Sequence, residues 1–277
     1  FKDNNLDSDT YIKLIDYHLN NGTNGLVPGR TTGESPTLSH NEHKKIIELA
    51  VRESNGKIPV ISGTGSNSTD EAIELSKFAE KAGSDALLIV TPYYNKPTQE
   101  GLYQHYKKIN DNVGIPIIIY NIPSRSVIDM TVETMTRLYE LKNIVGVKDA
   151  TGDLNRVDQQ LKAMGKDFIQ LTGNDDNAFE FNKRGGVGAI GVTANVAAKL
   201  SSDFQKACRE NIDKAKDLDE LLQPLHSSLF IESNPSPVKY AASLLNMCSP
   251  EVRLPLVGIK NETKKKVLEA LKVVKLL

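Results

Sequence analysis

The most informative segment of the chain is Ile144-Val145-Gly146-Val147-Lys148-Asp149-Ala150-Thr151-Gly152, which predicts a buried strand that ends on a lysine. Its first four residues are glycine or β-branched and apolar, a composition typical of interior strands in a parallel sheet. Side chains alternate along a strand, so Ile144, Gly146 and Lys148 are expected on one face. Gly146 has no side chain and should leave open space behind the Lys148 ammonium. The alternative is a lysine that leaves the sheet and extends into water.

Composition and charge indicate a globular protein with a large core and no polyanionic partner. Of its 277 residues, 39% are hydrophobic and 25% are charged, which are ordinary values for such a protein. The net charge of −1 creates no field that would attract nucleic acid or an anionic membrane. No apolar run approaches the roughly 20 residues of a membrane span. Cys208 and Cys248 are isolated from each other, which predicts buried thiols in a reducing cytoplasm.

Strand and helix patterns alternate along the first 190 residues. Apolar, β-branched runs predict seven strands, at residues 25–27, 58–61, 86–90, 117–120, 144–148, 168–171 and 188–190. Amphipathic segments between them predict helices, including one that Ser68 or Thr69 caps. This alternation is typical of right-handed βαβ units around a parallel sheet.

The expected architecture is an α/β fold, a (β/α)8 TIM barrel, at residues 1–210. A closed barrel needs eight strands, so the first strand is expected to lie upstream of Phe1. From Asn195 onward the periodicity is helical only, which predicts an appended C-terminal helical subdomain at residues 211–277. A doubly wound open sheet is the alternative, but no Gly-x-Gly-x-x-Gly follows a first strand.

The C-terminal ends of barrel strands carry active-site groups, and here they supply hydroxyls, one arginine and one lysine. The residues at these ends are Thr31, Thr32, Thr64, Tyr93, Tyr94, Tyr120, Arg125, Lys148, Gly173 and Ile190. They include no histidine and no cluster of carboxylates, so no metal site is predicted. A lysine kept from water has a lowered pKa, and its neutral amine can attack a ketone while a phenol shuttles protons. The pattern therefore predicts Schiff-base chemistry.

Five segments closely resemble the bacterial 4-hydroxy-tetrahydrodipicolinate synthase (dihydrodipicolinate synthase) family, one of the pyruvate-dependent Schiff-base aldolases and lyases. They are Thr-Thr-Gly-Glu-Ser at 31–35, Thr-Pro-Tyr-Tyr-Asn at 91–95, Tyr-Asn-Ile-Pro-Ser-Arg at 120–125, Gly-Val-Lys-Asp-Ala-Thr-Gly at 146–152 and Val-Thr-Ala-Asn-Val at 192–196. Single motifs are weak, but five at strand ends are specific. The resemblance implies a cytoplasmic lyase without a cofactor. It would join pyruvate to L-aspartate 4-semialdehyde, the first step of the diaminopimelate route to lysine.

The resemblance also implies catalytic roles for four residues. Lys148 would form the imine with pyruvate, and Tyr120 would be the general acid/base. The proton of Tyr120 would be relayed through Thr31 and through Tyr94 of a neighbouring subunit. Taken singly, each residue has a structural alternative, such as a tyrosine that merely closes the core.

Four more positions match substrate-binding residues of the family. Thr32 and nearby backbone N–H groups would hold the pyruvate carboxylate. Arg125 would bind the carboxylate of aspartate semialdehyde, because its planar guanidinium matches that group. Gly173 and the carbonyl of Ile190 would shape the pocket near the imine.

A homotetramer, built as a dimer of dimers, is expected from the adjacent Tyr93 and Tyr94 and from the resemblance. In an extended segment the two rings point opposite ways, so one can serve a neighbouring subunit. The family's feedback site for L-lysine lies at the tight dimer interface. The matching positions here are Ser35, His40, His43, Asn67, Glu71 and Tyr93. Their amide, carboxylate and imidazole groups suit an amino acid, although His40 and His43 could also form a plain surface pair.

One departure from the family pattern is Arg30, which stands where the motif has a glycine. An arginine there is expected to crowd the loop or to miss a glycine-type dihedral. Two alternative functions follow. One is N-acetylneuraminate lyase or a 2-keto-3-deoxy-acid aldolase of the same superfamily, against which Arg125 and the paired tyrosines argue. The other is a non-catalytic relative that binds a keto acid, which only Arg30 supports.

Overall fold

The computed structural model describes residues 1–277, which form two compact units. The first unit comprises residues 1–58 and 191–277, and the second comprises residues 59–190. The helices are α1 (Ser8–Asn20), α2 (His40–Ser54), α3 (Thr69–Ala82), α4 (Gln99–Asn110), α5 (Pro123–Ser126), α6 (Val132–Tyr139), α7 (Asn155–Met164), α8 (Ala178–Lys183), α9 (Ala198–Glu210), α10 (Ile212–Ser228), α11 (Ser236–Leu244) and α12 (Asn261–Val273). The strands are β1 (Ile61–Gly63), β2 (Ala86–Val90), β3 (Ile117–Asn121), β4 (Ile144–Asp149), β5 (Ile169–Thr172) and β6 (Gly188–Ala189).

The second unit is built on one parallel sheet in the order β1-β2-β3-β4-β5-β6. Every residue of β2 and β3 is buried, as expected for strands covered on both faces. Helices follow the strands in the βαβ pattern that the sequence predicts. Five predicted strands lie within two residues of β2 to β6, and Ser68 is the residue that caps α3.

The predicted barrel differs from the structure in its first strands. Leu26 makes only a single bridge, so residues 25–27 are not a strand. The strand predicted at residues 58–61 begins at Ile61, because the N–H of Val60 donates to the Asp85 side chain at 2.8 Å and not to a backbone ladder. Six strands are paired and β6 is not paired with β1, so the closed eight-stranded sheet is not present. The strand upstream of Phe1 stays a prediction.

The first unit consists mainly of helices, and α10 packs on α9 and α12. A capping box begins α2, because Ser39 accepts from the N–H of Glu42 and Glu42 accepts from the N–H of Ser39. Arg253 donates from Nη2 and Nη1 to the two carboxylate oxygens of Glu42, at 2.6 and 2.8 Å. These charge-assisted hydrogen bonds lower the pKa of Glu42 to about 2.

The C-terminal helices group with residues 1–58 in the first unit, so the predicted division at residues 210 and 211 stays a prediction. Cys208 and Cys248 form no disulfide, and both are half-buried rather than fully buried as predicted. None of the helices combines the length and the apolar character that crossing a bilayer requires.

Candidate active site

Lys148 and Tyr120 meet at the ends of two neighbouring strands. They are register partners in the β3–β4 pair, so their side chains lie side by side on one face. The Lys148 ammonium lies 4.2 Å from the centroid of the Tyr120 ring. Lys148 is 8% exposed and Tyr120 is 3% exposed, which places an amine and a phenol together away from bulk water. The alternative, a lysine that extends into water, is therefore not what the structure contains.

Gly173 lies directly against the Lys148 side chain. It follows β5, and its N–H donates to the Asp149 carbonyl at 2.7 Å. A Cβ at position 173 would lie 2.9 Å from Cε of Lys148 and 2.7 Å from the Ala150 Cβ. Ile190 comes next on the neighbouring strand end, where its N–H donates to the Thr172 carbonyl at 2.9 Å. The structure thus brings Gly173 and Ile190 to the same sheet edge as Lys148.

Gly146 does not leave the open space that was predicted for it. A Cβ there would lie 2.3 Å from the Ile169 carbonyl oxygen and 2.6 Å from the Ile169 Cβ. The glycine lets β4 and β5 approach each other. A register irregularity also pairs Ile117 with Ile144 but Ile118 with Gly146. The predicted alternation is therefore interrupted at Val145, an extra residue in the ladder, but it is regular from Gly146 to Lys148.

The opposite face of the same strand ends carries a buried polar network that the sequence did not predict. Asp149 and Asn121 directly follow Lys148 and Tyr120, and they are register partners. Asp149 accepts from Arg156 Nε at 2.9 Å and from Gln160 Nε2 at 3.0 Å. The only feature of the sequence that could have indicated this network is position, since Asn121 directly follows Tyr120 and Asp149 directly follows Lys148.

Arg125 lies on α5, in the turn that follows β3, and it is exposed. The residue that ends this short helix, Val127, has φ +66°. A β-branched residue rarely adopts this left-handed conformation, so the turn is strained. Ser126 ties the turn by donating to the Ile122 carbonyl at 2.9 Å.

Tyr94 projects from the second unit and is 88% exposed in the single chain. Its φ of +72° turns the backbone sharply after Tyr93, which is 41% exposed. Asn95 connects this loop to a second predicted site, because its N–H donates to the Tyr93 carbonyl and its amide donates to the Asn67 carbonyl, both at 2.9 Å. Near Asn67, Glu71 accepts a hydrogen bond from Ser66.

The loop of Thr31 and Thr32 belongs to the first unit. Thr32 Oγ1 accepts from Asn234 Nδ2 at 3.0 Å, and the buried Glu34 pairs with Lys239 at 2.9 Å. The sequence interpretation missed Asn234 and Lys239. Asn234 begins the segment Asn-Pro-Ser-Pro at 234–237, and Lys239 follows it by two residues. They come from the C-terminal part of the chain and support the threonine loop.

Arg30 fits into this loop without a glycine-type dihedral. Gly29 takes the left-handed conformation, with φ +70°, and Arg30 does not have a positive φ. The Arg30 side chain is nevertheless 8% exposed, so the loop accommodates it in the interior. The expectation that residue 30 needs a glycine-type dihedral is therefore wrong, because Gly29 takes that conformation instead.

Three residues of the predicted lysine site lie in the first unit. Ser35 begins a short 3-10 helix, and His40 begins α2. His43 is 7% exposed, so it is not the surface residue that the alternative of a plain surface pair required. No group of three or more His, Cys, Asp or Glu side chains is arranged to hold a metal ion.

Comparisons with a family profile and with known proteins identify the same family. The profile of the dihydrodipicolinate synthetase family matches residues 1–274. The 4-hydroxy-tetrahydrodipicolinate synthase of Pelagibacter ubique is 71% identical over 275 residues, which cover 98% of this chain and 94% of that protein.

Solved structures agree with this similarity. Chloride-inhibited dihydrodipicolinate synthase from Acinetobacter baumannii, complexed with pyruvate, superposes with a TM-score of 0.98 and 44% identity, covering 100% of this chain and 96% of that one. The enzyme from Cyanidioschyzon merolae with lysine bound superposes with a TM-score of 0.96 and 33% identity, covering 100% and 95% of the two chains. The α/β fold with its parallel sheet is thus shared with these structures.

Proposed function

The chain belongs to the dihydrodipicolinate synthetase family, and on that premise we propose that it condenses pyruvate with L-aspartate 4-semialdehyde through an imine on Lys148. It is a lyase of the diaminopimelate route to lysine. The observation that carries the proposed chemistry is the buried Lys148 amine, 4.2 Å from the Tyr120 ring centroid. The N-acetylneuraminate lyase and keto-acid aldolase alternatives are not favoured, because close relatives are named as the synthase.

The proposed reaction begins when the neutral Lys148 amine attacks the ketone carbon of pyruvate. Loss of one water forms the imine, and loss of a methyl proton gives an enamine whose carbon attacks the aldehyde. The amino group of the second substrate then displaces Lys148 and closes the ring. Tyr120 moves protons in the carbinolamine steps, because its hydroxyl can donate and accept. The reaction needs no cofactor, because the covalent imine on Lys148 activates pyruvate.

Further residues complete the proposed site. Thr31 and Tyr94 relay the Tyr120 proton, and Thr32 binds the pyruvate carboxylate. Arg125, an exposed residue, binds the carboxylate of the second substrate, because a planar guanidinium can make a bidentate contact with that group. Gly173 and the Ile190 carbonyl keep space for the imine, which the close approach of Gly173 to Lys148 Cε supports.

The test is product formation from pyruvate and aspartate semialdehyde, coupled to a nicotinamide-dependent reductase that consumes the product. We expect turnover only when both substrates are present, and no release of pyruvate from N-acetylneuraminate. Cleavage of N-acetylneuraminate, or binding of pyruvate without turnover, would overturn the proposed function. A cytoplasmic location stays a prediction.

We also propose a homotetramer in which Tyr94 completes a neighbouring subunit's site. The exposure of the Tyr94 ring, 88% in the single chain, supports this role. Sedimentation should show the tetramer, and Tyr94→Phe should lose activity while remaining tetrameric. A fully active monomer, or normal activity of Tyr94→Phe, would contradict the relay.

The last part of the proposal is feedback inhibition by L-lysine at Ser35, His40, His43, Asn67, Glu71 and Tyr93. The lysine-bound relative supports it, as does the link that Asn95 makes between the loops of Asn67 and Tyr93. Millimolar lysine should inhibit the wild type partially and cooperatively, and it should inhibit Glu71→Ala much less. Equal inhibition of both proteins would place the site elsewhere.

A further inference from the structure

We propose that Arg156 is a positioning residue that holds the turn of Arg125 against the end of the Lys148 strand, and so determines the affinity for the second substrate. This inference rests on the proposed function. It concerns a largely buried polar cluster on the face of the sheet opposite Lys148, which we call the clamp. The clamp comprises Asn121, Asp129, Asp149 and Arg156 with the backbone of Met130.

The first anchor of the clamp is Asp149, which is 5% exposed and directly follows Lys148. One carboxylate oxygen accepts from the N–H and the hydroxyl of Thr151, at 2.9 and 2.6 Å. The other accepts from Arg156 Nε at 2.9 Å and Gln160 Nε2 at 3.0 Å. Four donors on one buried carboxylate make a rigid anchor at the end of β4.

Arg156 connects this anchor to the turn that carries Arg125. Its Nη2 donates to the Met130 carbonyl at 2.8 Å, and its Nη1 lies 3.6 Å from a carboxylate oxygen of Asp129. The guanidinium is planar and has five N–H donors, so one side chain can hold Asp149 and the turn at once. Arg156 is 8% exposed, which strengthens these contacts by excluding water.

A second anchor reaches the same turn from β3. Asn121, which directly follows Tyr120, donates from Nδ2 to Asp129 at 2.7 Å and accepts from the Met130 N–H at 3.0 Å. Residues 129 and 130 are therefore tied to the residues that follow both Tyr120 and Lys148. The distal end of the Arg125 turn cannot move without disturbing the strand ends.

The turn needs such a clamp because its backbone is strained. Val127 has φ +66°, two residues after Arg125, and such strain persists only when surrounding contacts over-determine it. At the near end, Ser126 donates to the carbonyls of Ile122 and Ile128 at 2.9 and 3.0 Å. The clamp supplies the contacts at the far end. It thereby keeps Arg125 in one place before the second substrate arrives, which raises affinity.

A role in stability alone makes a different prediction, and Arg156→Lys separates the two. Lysine keeps a positive charge for Asp149, but its single ammonium cannot also span the Met130 carbonyl and Asp129. We expect the KM for aspartate semialdehyde to rise about tenfold or more, while the KM for pyruvate changes less than about twofold. Borohydride trapping of pyruvate on Lys148 should be as efficient as in the wild type.

Three further variants sharpen the experiment. Asp129→Ala removes the turn side of the clamp at a side chain that is half-exposed, and should raise the same KM selectively. Gln160→Met touches Asp149 but not the turn, so it should leave the KM for aspartate semialdehyde unchanged. Arg184→Lys, in an exposed pair with Asp158, is the matched arginine control.

The outcomes are distinct. An unchanged KM for aspartate semialdehyde in Asp129→Ala, or in folded Arg156→Lys, would overturn the inference. So would an equal loss of both substrate affinities together with weaker trapping, since Arg156 would then support only the Lys148 strand. If the wild type itself traps no pyruvate on Lys148, the proposed function fails, and the role of the clamp fails with it.

Discussion

Lys148 occupies a space that exists only because residue 173 is a glycine. The contact joins the end of β4 to the residue after β5, and the separation of Lys148 and Gly173 in sequence gives no sign of it. The family resemblance marked Gly173 as part of the pocket. The structure adds the physical reason, which is the 2.9 Å that would separate an added Cβ from Lys148 Cε.

At this scale we predict that Gly173→Ala folds but loses most of its activity. The new methyl group must displace the Lys148 side chain or Ala150, and a displacement of about 1 Å can cost about 100-fold in rate. Steady-state kinetics and pyruvate trapping on Lys148 measure the effect. Gly258→Ala is the control, since nothing lies within 4 Å of a Cβ at that exposed position. Equal kinetics in both variants would contradict this description of the pocket.

At the scale of elements, Gly146 determines how closely β4 approaches β5. In Gly146→Ala the Cβ would meet the backbone of Ile169 at 2.3 Å, and backbone cannot rotate away. We predict a loss of about 3 kcal/mol in the free energy of unfolding, the upper range for overpacking. Denaturant unfolding measures it, with Gly258→Ala expected within about 0.5 kcal/mol of the wild type. Wild-type stability in Gly146→Ala would mean that the strands are not this close.

The sequence predicted the elements whose signal is local. Continuous apolar runs predicted β2 to β6, and the Ser68 cap predicted the start of α3. Features that depend on a partner strand were missed, namely the start of β1 at Ile61 and the irregularity at Val145. Three residues at 25–27 are apolar, yet a strand also needs a neighbour that continues the ladder.

The candidate site follows the same rule. Lys148 and Tyr120 were predicted because both stand at strand ends, and their register confirms that they are neighbours. Arg156 was not predicted, because no pattern in α7 shows that this arginine is buried against Asp149 and Met130. Long-range pairing of polar groups is a property of the packed structure and leaves no periodicity in the sequence.

At the scale of the whole molecule, burial of His105 makes stability depend on pH. His105 is 5% exposed, and burial lowers its pKa to about 4, below the value of 6.5 for an unfolded histidine. Between these values the unfolded chain binds a proton that the folded chain does not bind. Stability is therefore complete above pH 6.5 and decreases as the pH falls toward 4.

We predict that this histidine accounts for a loss of about 2 kcal/mol between pH 6.5 and 5. Its Nδ1 lies 2.9 Å from the Thr69 hydroxyl, and His105→Gln keeps a polar partner there without a titrating group. The midpoint of thermal unfolding should therefore decrease less in His105→Gln than in the wild type over this pH range. Parallel curves for the two proteins would contradict a lowered pKa of His105 in the folded state.

Lys148 is proposed as the amine that forms the imine with pyruvate. The most direct measurement is to incubate the full chain with pyruvate, reduce with borohydride and map the adduct by mass spectrometry. We predict a reduced pyruvate adduct on Lys148 alone, and no adduct in Lys148→Arg. An unmodified Lys148, or an adduct on another lysine that persists in Lys148→Arg, would contradict it.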